Sequence, residues 1–397
     1  TVLDEGRHVA TVEGRRGTLT AWTHRGSQLQ IRENGVPKAI ITTDPFLCPH
    51  YAPELLQAVL PMALHERPHR VLVLGLGGGE PLAAGFAFPV RELTCADADT
   101  QLPALLEARV WSDGRVRPLD DARIRIVPLD PPLAVACRGA GYDVIISCPD
   151  QSALWRASAE FTAEFYRNVA RRLERDGIFC QRFHAVDYGP QPIATVAATF
   201  LDTFAAVAAV EVAPGELLFL ATNSPRGLSR PGIEARLKAR HVRTALAQLG
   251  WDWCVPLNLP TYDHKALSEI VRQSDAEPNT ASAIRSAFTL PRDLMRWGPK
   301  RQEVYDRFAQ HAGRMLQWDH VDGQDPELLR RLAEVTGQRQ LMAAYPDQPW
   351  AYRKTLREQL TERPRSAIRQ ISTGAAIPEL HPIDERRKNY LKSLGAA

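Results

Sequence analysis

Long apolar runs are what this chain most plainly lacks. The most hydrophobic stretch, Ile193 to Val210, is interrupted by Asp202, short of the roughly 20 apolar residues a membrane-spanning helix needs. Direct membrane insertion is therefore not expected of this segment. A surplus of one charge is missing as well. The 49 Lys and Arg against 46 Asp and Glu leave +3, too little for the basic face that nucleic acid or an acidic membrane surface would require. Six cysteines (Cys48, Cys95, Cys137, Cys148, Cys180, Cys254) are scattered with no C-x-x-C among them. That spacing argues against zinc and a disulfide framework, and for a reducing compartment. What is present, 397 residues with 44% hydrophobic and 24% charged, is an ordinary globular composition with room for two or three domains.

The stretch from His69 to Thr100 organises the rest. Arg70 to Leu74 is a short apolar, β-branched run, consistent with a strand buried on both faces. It breaks into Gly75-Leu76-Gly77-Gly78-Gly79, followed by helical character from Glu80 to Phe88 and a second strand from Glu92 to Ala96 that ends at Asp97-Ala98-Asp99. Glycines let a backbone turn tightly and approach a ligand, and a helix N-terminus adds partial positive charge. A carboxylate at the tip of the next strand, about 20 residues on, suits a ribose diol. The expectation is a nucleoside-binding crevice. The plainer alternative is a structural turn with Asp97 capping a strand end.

Around this stretch the chain alternates. Strand patterns at His8 to Glu13, Thr18 to Thr23 and Gln28 to Glu33 come first, the last followed by Asn34-Gly35, the strongest short hairpin signal. They mark a small antiparallel β module over residues 1–45. Tyr51 to His65 reads as an amphipathic helix. Strands follow at Arg123 to Val127, ending at Asp130, and at Tyr142 to Ile146, ending at Ser147-Cys148-Pro149-Asp150-Gln151. Phe161 to Arg172 is a helix, Ile178 to Phe183 a strand, and Pro192 to Phe204 a helix. Two last strands, Ala206 to Val212 and Glu216 to Ala221, are joined through Pro214-Gly215. Strands alternating with helices imply an α/β fold, a doubly wound parallel sheet over residues 46–225 that closes in an antiparallel hairpin. Ligands of such sheets sit beyond the carboxyl ends of the strands, where Gly75 to Gly79, Asp97, Asp130 and Cys148 to Gln151 all fall. Pro225 to Pro231 reads as a linker and residues 226–397 as a mostly helical extension that packs as a cap. Ala343 to Thr361 resembles one helix–turn–helix repeat unit, and a single copy does not make a solenoid.

Taken in order, these pieces resemble the spermidine/spermine synthase family, the polyamine aminopropyltransferases, in its bacterial branch of soluble or membrane-fused proteins. The resemblance runs from about His8 to Asn223. It is carried by QLQIRENGVPKAIITTD, HRVLVLGLGGG, ELTCADAD, GYDVIIS, FTAEFYRNVARRLERDGIFCQRF and GELLFLATN, with a weaker echo in EPNTASAIRSAFTLPRDLMRW. It implies an N-terminal β domain and a Rossmann-like core of the class I methyltransferase type. It also implies decarboxylated S-adenosylmethionine as co-substrate, no metal, and aminopropyl transfer to a small polyamine-type amine. Family members are commonly dimers or tetramers, so a homodimer is the expectation. By position, Gly75, Gly77, Gly78 and Gly79 flank the nucleoside. Asp97 stands for the ribose-binding acid, usually Glu, and Asp130 for the aspartate that receives the adenine amino group. The expected location is cytoplasmic, or membrane-tethered if a chain that begins at Thr1 without a methionine is excised from a longer fused protein.

The acceptor side departs from the family. A protonated amine has no lone pair for attack, so the family carries a D-x-x-D pair after the YDVII-type strand as proton acceptor and cation holder. Those positions are Cys148 and Gln151 here. A thiol with a reference pKa of about 8.5 is mostly neutral near pH 7, and glutamine carries no charge. Asp150, one residue earlier than Gln151, is the nearest substitute; Asp150 and Cys148 are the candidate catalytic residues and Gln151 a substrate contact. Ser152-Ala153-Leu154-Trp155 replaces the P-x-G-P gate. Gly78 stands where the family often has the aspartate of G-G-G-D-G-G, with Glu80 two residues on. His50-Tyr51 is a reversed counterpart of the Tyr-His pair that faces the polyamine. Cys148 could instead be a nucleophile partnered by His184. Two other functions stay open: an S-adenosylmethionine-dependent methyltransferase, since Gly78 leaves room for the co-substrate's carboxylate, and a non-catalytic sensor or scaffold, since the acid pair is missing.

Overall fold

The computed structural model describes residues 6–24, 28–42, 51–109, 118–149, 155–185, 188–213, 215–249, 251–286 and 289–333. His50, Asp150, Gln151 and the repeat-like segment 343–361 lie outside them. Within them the chain builds two sheets. The first is an antiparallel meander of β1 (Gly6–Glu13), β2 (Thr18–His24), β3 (Gln28–Glu33) and β4 (Val36–Thr42). Asn34 and Gly35 join β3 to β4 with φ of 52° and 82°, the two left-handed positions that make Asn-Gly the favoured hairpin turn. The Thr18 N–H donates to Asn34 Oδ1 at 3.1 Å, which ties this turn to β2.

The second sheet holds nine strands. They are β5 (Arg70–Leu74), β6 (Glu92–Ala96), β7 (Ile124–Val127), β8 (Tyr142–Ser147), β9 (Leu173–His184), β10 (Ala206–Ala213), β11 (Glu216–Thr222), β12 (Pro260–Tyr262) and β13 (Gly313–Arg314). Their order is β13-β12-β10-β11-β9-β8-β5-β6-β7. Pairing is parallel from β9 through β8 and β5 to β6 and β7. β11 slots in antiparallel between β9 and β10. The chain winds outward from β5 to β7, then returns to the far side of β5 as β8. The loops after β5 and β8 therefore flank the topological switch point, where open α/β sheets bind ligands.

Helices cover both faces of this sheet: α1 (Ala52–Leu64), α2 (Glu80–Gly85), α3 (Leu102–Arg109), α4 (Pro131–Ala136), α5 (Trp155–Ser158), α6 (Ala163–Arg172) and α7 (Pro190–Thr203). The period-2 alternation of the strands sorts side chains between two cores. Val71, Val73, Val144, Ile146, Ile178 and Cys180 pack with α1 and with Leu29, Ile31 and Ile41 of the small sheet. Leu72, Leu74, Ile145 and Phe179 face Phe165, Tyr166 and Phe200 of α6 and α7. Each such side chain contributes about 1.5–3 kcal/mol on burial. The small sheet is thus docked on α1 and the glycine turn beside it.

The C-terminal part supplies more than helices. β12 extends the large sheet antiparallel to β10, and β13 antiparallel to β12, while His264–Ser274 and Leu290–Trp297 are helical. The stretch Pro225 to Pro231, expected as a linker, is packed: Leu228 and Arg230 are buried, and Arg230 donates to the Gly227 and Asp176 carbonyls. Among the described residues no helix is long and apolar enough to cross a membrane.

Candidate functional site

One half of the site is backbone. Past Leu74 the chain turns through Gly75, Gly77 and Gly79 with φ of 89°, 54° and 82°, values that favour glycine. The Gly75 N–H donates to Ala96 O at 2.8 Å, and the Cys148 N–H to Leu74 O at 2.8 Å. The two loops meet so closely that a Cβ on Gly75 would lie 2.9 Å from the Cys148 carbonyl oxygen. Gly78 lies under β4, where a Cβ would come within 2.6 Å of Ile41 Cγ1. Gly77 has nothing within 4 Å of its Cβ position and is the open face of the turn. Asp97 is aimed into it. Its Oδ2 accepts from the Leu76 N–H and its Oδ1 from the Asp99 N–H, both at 2.8 Å, and the side chain is 3% exposed. These bonds make a strand-end cap, yet each carboxylate oxygen has a second lone pair for a hydroxyl donor.

The other half is built from side chains. Tyr51, at the N-terminus of α1, donates its hydroxyl to Glu216 Oε1 at 2.9 Å. Arg182 of β9 grips Glu216 of β11 through Nε at 2.9 Å and Nη2 at 3.2 Å, and His184 Nδ1 meets the same carboxylate. Burial alone would raise the Glu216 pKa, but Arg182 and His184 outweigh it and hold it at about 2. Burial and Glu216 push the Tyr51 phenol up. Glu54, on the first turn of α1, is treated differently. Its contacts are long, 3.5 Å from Arg182 Nη1 and 3.5 Å from the Ile40 N–H, and burial raises it to about 7. Glu54, Gln57, Lys38 and Arg182 line a small cavity with Gly75, Gly77, Pro81, Cys148 and Pro149, so the two halves meet there. Cys148 is half-buried, and burial with Glu54 nearby pushes its thiol well up. It stays a neutral thiol rather than a nucleophilic thiolate, and His184, its suggested partner, turns Nδ1 to Glu216.

A third feature lies over β7. The β1–β2 turn reaches across to the sheet edge. A Cβ on Gly14 would strike the Asp99 carboxylate, and Arg16 forms an ion pair with Asp130. Beside them is a cavity of about 280 Å³ lined by Arg16, Asp130, Pro132, Ser158, Glu160 and Ile284, close to the lower limit of roughly 300 Å³ for small-molecule pockets. Asp130 therefore already has a cation for a partner, which any adenine amino group would share or displace.

The structure brings Gly75 to Gly79, Asp97, Cys148 and Tyr51 to one sheet edge and sets Asp130 on its flank. Glu54, Gln57, Arg182, Glu216 and Arg16 are neighbours that the sequence did not single out. A signal for some of them exists: Glu54 and Gln57 are polar and three apart in an otherwise apolar helix start, and Arg182 and Glu216 interrupt apolar strands.

Comparison with known proteins follows the same boundaries. Residues 53–217 match the Spermine/spermidine synthase domain. A polyamine aminopropyltransferase of Moorella thermoacetica is 35% identical over 123 residues, 31% of this chain and 42% of that protein. The polyamine aminopropyltransferase of Bacillus mycoides is 28% identical over 140 residues, 35% of this chain and 50% of that one. The chain thus spans half or less of the length of these curated relatives. Among solved structures, a probable spermidine synthase from Corynebacterium glutamicum aligns with a TM-score of 0.50 and 17% identity, covering 68% of this chain and 96% of that one. That likeness bears on the fold.

Proposed function

We propose, from the premise that residues 53–217 belong to the spermine/spermidine synthase family, that this protein transfers an aminopropyl group from decarboxylated S-adenosylmethionine to a small polyamine-type amine. The observation that carries this is the position of Asp97, a buried carboxylate bonded into the glycine turn at the switch point and inside the matched span. In this reading residues 1–45 are a β module leaning on the turn, 46–225 bind the nucleoside, and 226–397 extend the core. Asp97 takes the ribose hydroxyls, and the Gly75 to Gly79 backbone admits the co-substrate at its open Gly77 face. Asp130, with Arg16, borders the adenine end. The room that Gly78 would leave for the carboxylate of S-adenosylmethionine is taken by Ile41, which favours the decarboxylated form over a methyl donor. Asp150 and Gln151 stay candidates for the amine side from their sequence position.

Incubating the purified chain with decarboxylated S-adenosylmethionine and 1,4-diaminobutane should release methylthioadenosine. No release with any common polyamine would overturn the proposal. Asp97→Asn should weaken methylthioadenosine binding about 10- to 100-fold by calorimetry, the loss expected for a charge-assisted hydrogen bond of about 1.5–3 kcal/mol.

A further inference from the structure

We propose that the small cavity between Glu54, Gln57, Cys148 and the Gly75 to Gly77 turn is a subsite for a primary ammonium group, with Gln57 Oε1 and the Glu54 carboxylate as acceptors and Glu54 as the group that takes its proton. The cavity measures about 20 Å³, room for one water-sized group, which an ammonium is. Gln57 is 2% exposed. Its Nε2 donates to the Glu54 carbonyl at 3.2 Å, while its Oε1 has no hydrogen-bond partner among the described residues. A buried acceptor left unpaired costs about 1–3 kcal/mol, so the site lacks a donor, and an ammonium has three. Glu54 and Gln57 lie three apart on α1 and so on one face.

Charge points the same way. Arg182 is committed to Glu216 through two bonds, and Lys38 Nζ contacts Glu33 at 3.0 Å. The groups facing Glu54 are Arg182 from β9, Glu216 from β11 and Glu80 at the start of α2, with Lys38 of β4 and Cys148 lining the same cavity. Counting Glu33, carboxylates outnumber the two permanent cations, and Glu54 is the one held only by long contacts. Its raised value near 7 suits a proton acceptor working near neutral pH. The catalytic part rests on the transferase proposal above. The ammonium gives one proton to Glu54, and the freed lone pair bonds the carbon next to the sulfonium. The C–S bond breaks with its electrons on sulfur, releasing neutral methylthioadenosine. The product nitrogen carries the positive charge, and Glu54 returns its proton to solvent.

Calorimetric titration of the full chain with 1,4-diaminobutane tests the subsite without requiring turnover. Binding should fall at least tenfold in both Glu54→Gln and Gln57→Met, with neither variant unfolding below the wild-type midpoint. In turnover, Glu54→Gln should remove the limb near pH 7 from the kcat/KM profile for the amine. Absence of diamine binding to wild-type protein, or binding to the variants equal to that of wild type, overturns the subsite. Methylthioadenosine release with unchanged variants sinks the subsite alone. Variant-sensitive diamine binding without release sinks the transferase proposal and leaves the subsite standing.

Discussion

The two halves of the site are made by different physics. On the β5–β6 side, main-chain groups and one carboxylate hold each other within a span of 25 residues, Gly75 to Asp99, and every bond there is short. On the β9–β11 side, the side chains of Tyr51, Arg182 and His184 and the Ile40 N–H share two buried glutamates. Those glutamates are driven in opposite directions. Glu216 is met by Arg182, Tyr51 and His184 and sits at about 2, while Glu54 receives only long contacts and sits at about 7. Burial is common to both, so the density of donors decides which carboxylate stays charged. The matched glutamate is scaffold, and the unmatched one has chemistry to spare.

Breaking the matched half should cost most. Glu216→Gln leaves the Arg182 guanidinium buried without its counter-charge, and a broken buried pair is worth about 3–5 kcal/mol. Urea unfolding should show that loss, and Arg182→Met combined with Glu216→Leu should recover much of it, since well-packed apolar replacements of buried pairs are often neutral. A loss below about 1 kcal/mol would mean that water reaches the pair and that the contrast between the glutamates is overdrawn.

The unmatched glutamate gives an effect of opposite sign. Its folded value near 7 lies above the ordinary 4.5, so the folded chain binds the extra proton. Glu54 therefore supports the fold fully below about pH 4.5, and that support is lost as pH rises through 7. Glu54→Gln cannot lose a proton. Relative to wild type it should be near neutral at pH 5 and more stable by up to about 3 kcal/mol above pH 8, at roughly 1.4 kcal/mol per pKa unit. Glu216, held near 2, acts the other way: its support is present above about 4.5 and fades as pH falls through 2. Denaturation midpoints of the two proteins across pH 5 to 9 check this, and a gap that stays constant with pH would remove Glu54 as the titrating group.

The same division governs what could be read from the residues alone. Asn34-Gly35, the Arg70–Leu74 strand, the glycine turn and the acid at Asp97 follow from local spacing, because the partners are close in sequence and the backbone rules are local. The Tyr51–Glu216 bond spans 165 positions and Arg182–Glu216 spans 34, and no periodicity joins such residues. β12 and β13, three and two residues long, are too short to carry an alternation pattern; β12 forms on the edge of β10 and β13 on the edge of β12. Helix α2 stops at Gly85 rather than Phe88, at a residue type that is a poor helix former. Arg16 on Asp130 was invisible because it depends on how the β1–β2 turn docks.

The smallest expected effects lie in the backbone half, where two glycines of positive φ differ in what surrounds them. Alanine at Gly75 meets both a left-handed φ of 89° and the Cys148 carbonyl oxygen at 2.9 Å. The cost should be about 2–3 kcal/mol, more than the 1–2 kcal/mol of the conformation alone. Alanine at Gly77, with φ of 54° and open space around it, should cost about 1 kcal/mol. Equal losses in thermal unfolding would show that contact across the switch point contributes nothing and that strain sets both. Ligand binding separates the two glycines in the reverse order. In the proposed reading Gly77 is the face left open to a nucleoside, so its methyl should weaken methylthioadenosine binding several-fold beyond what its stability cost explains. A Gly77→Ala protein that binds as well as wild type would move the ligand off the glycine turn, leaving Asp97 as a strand-end cap and nothing more.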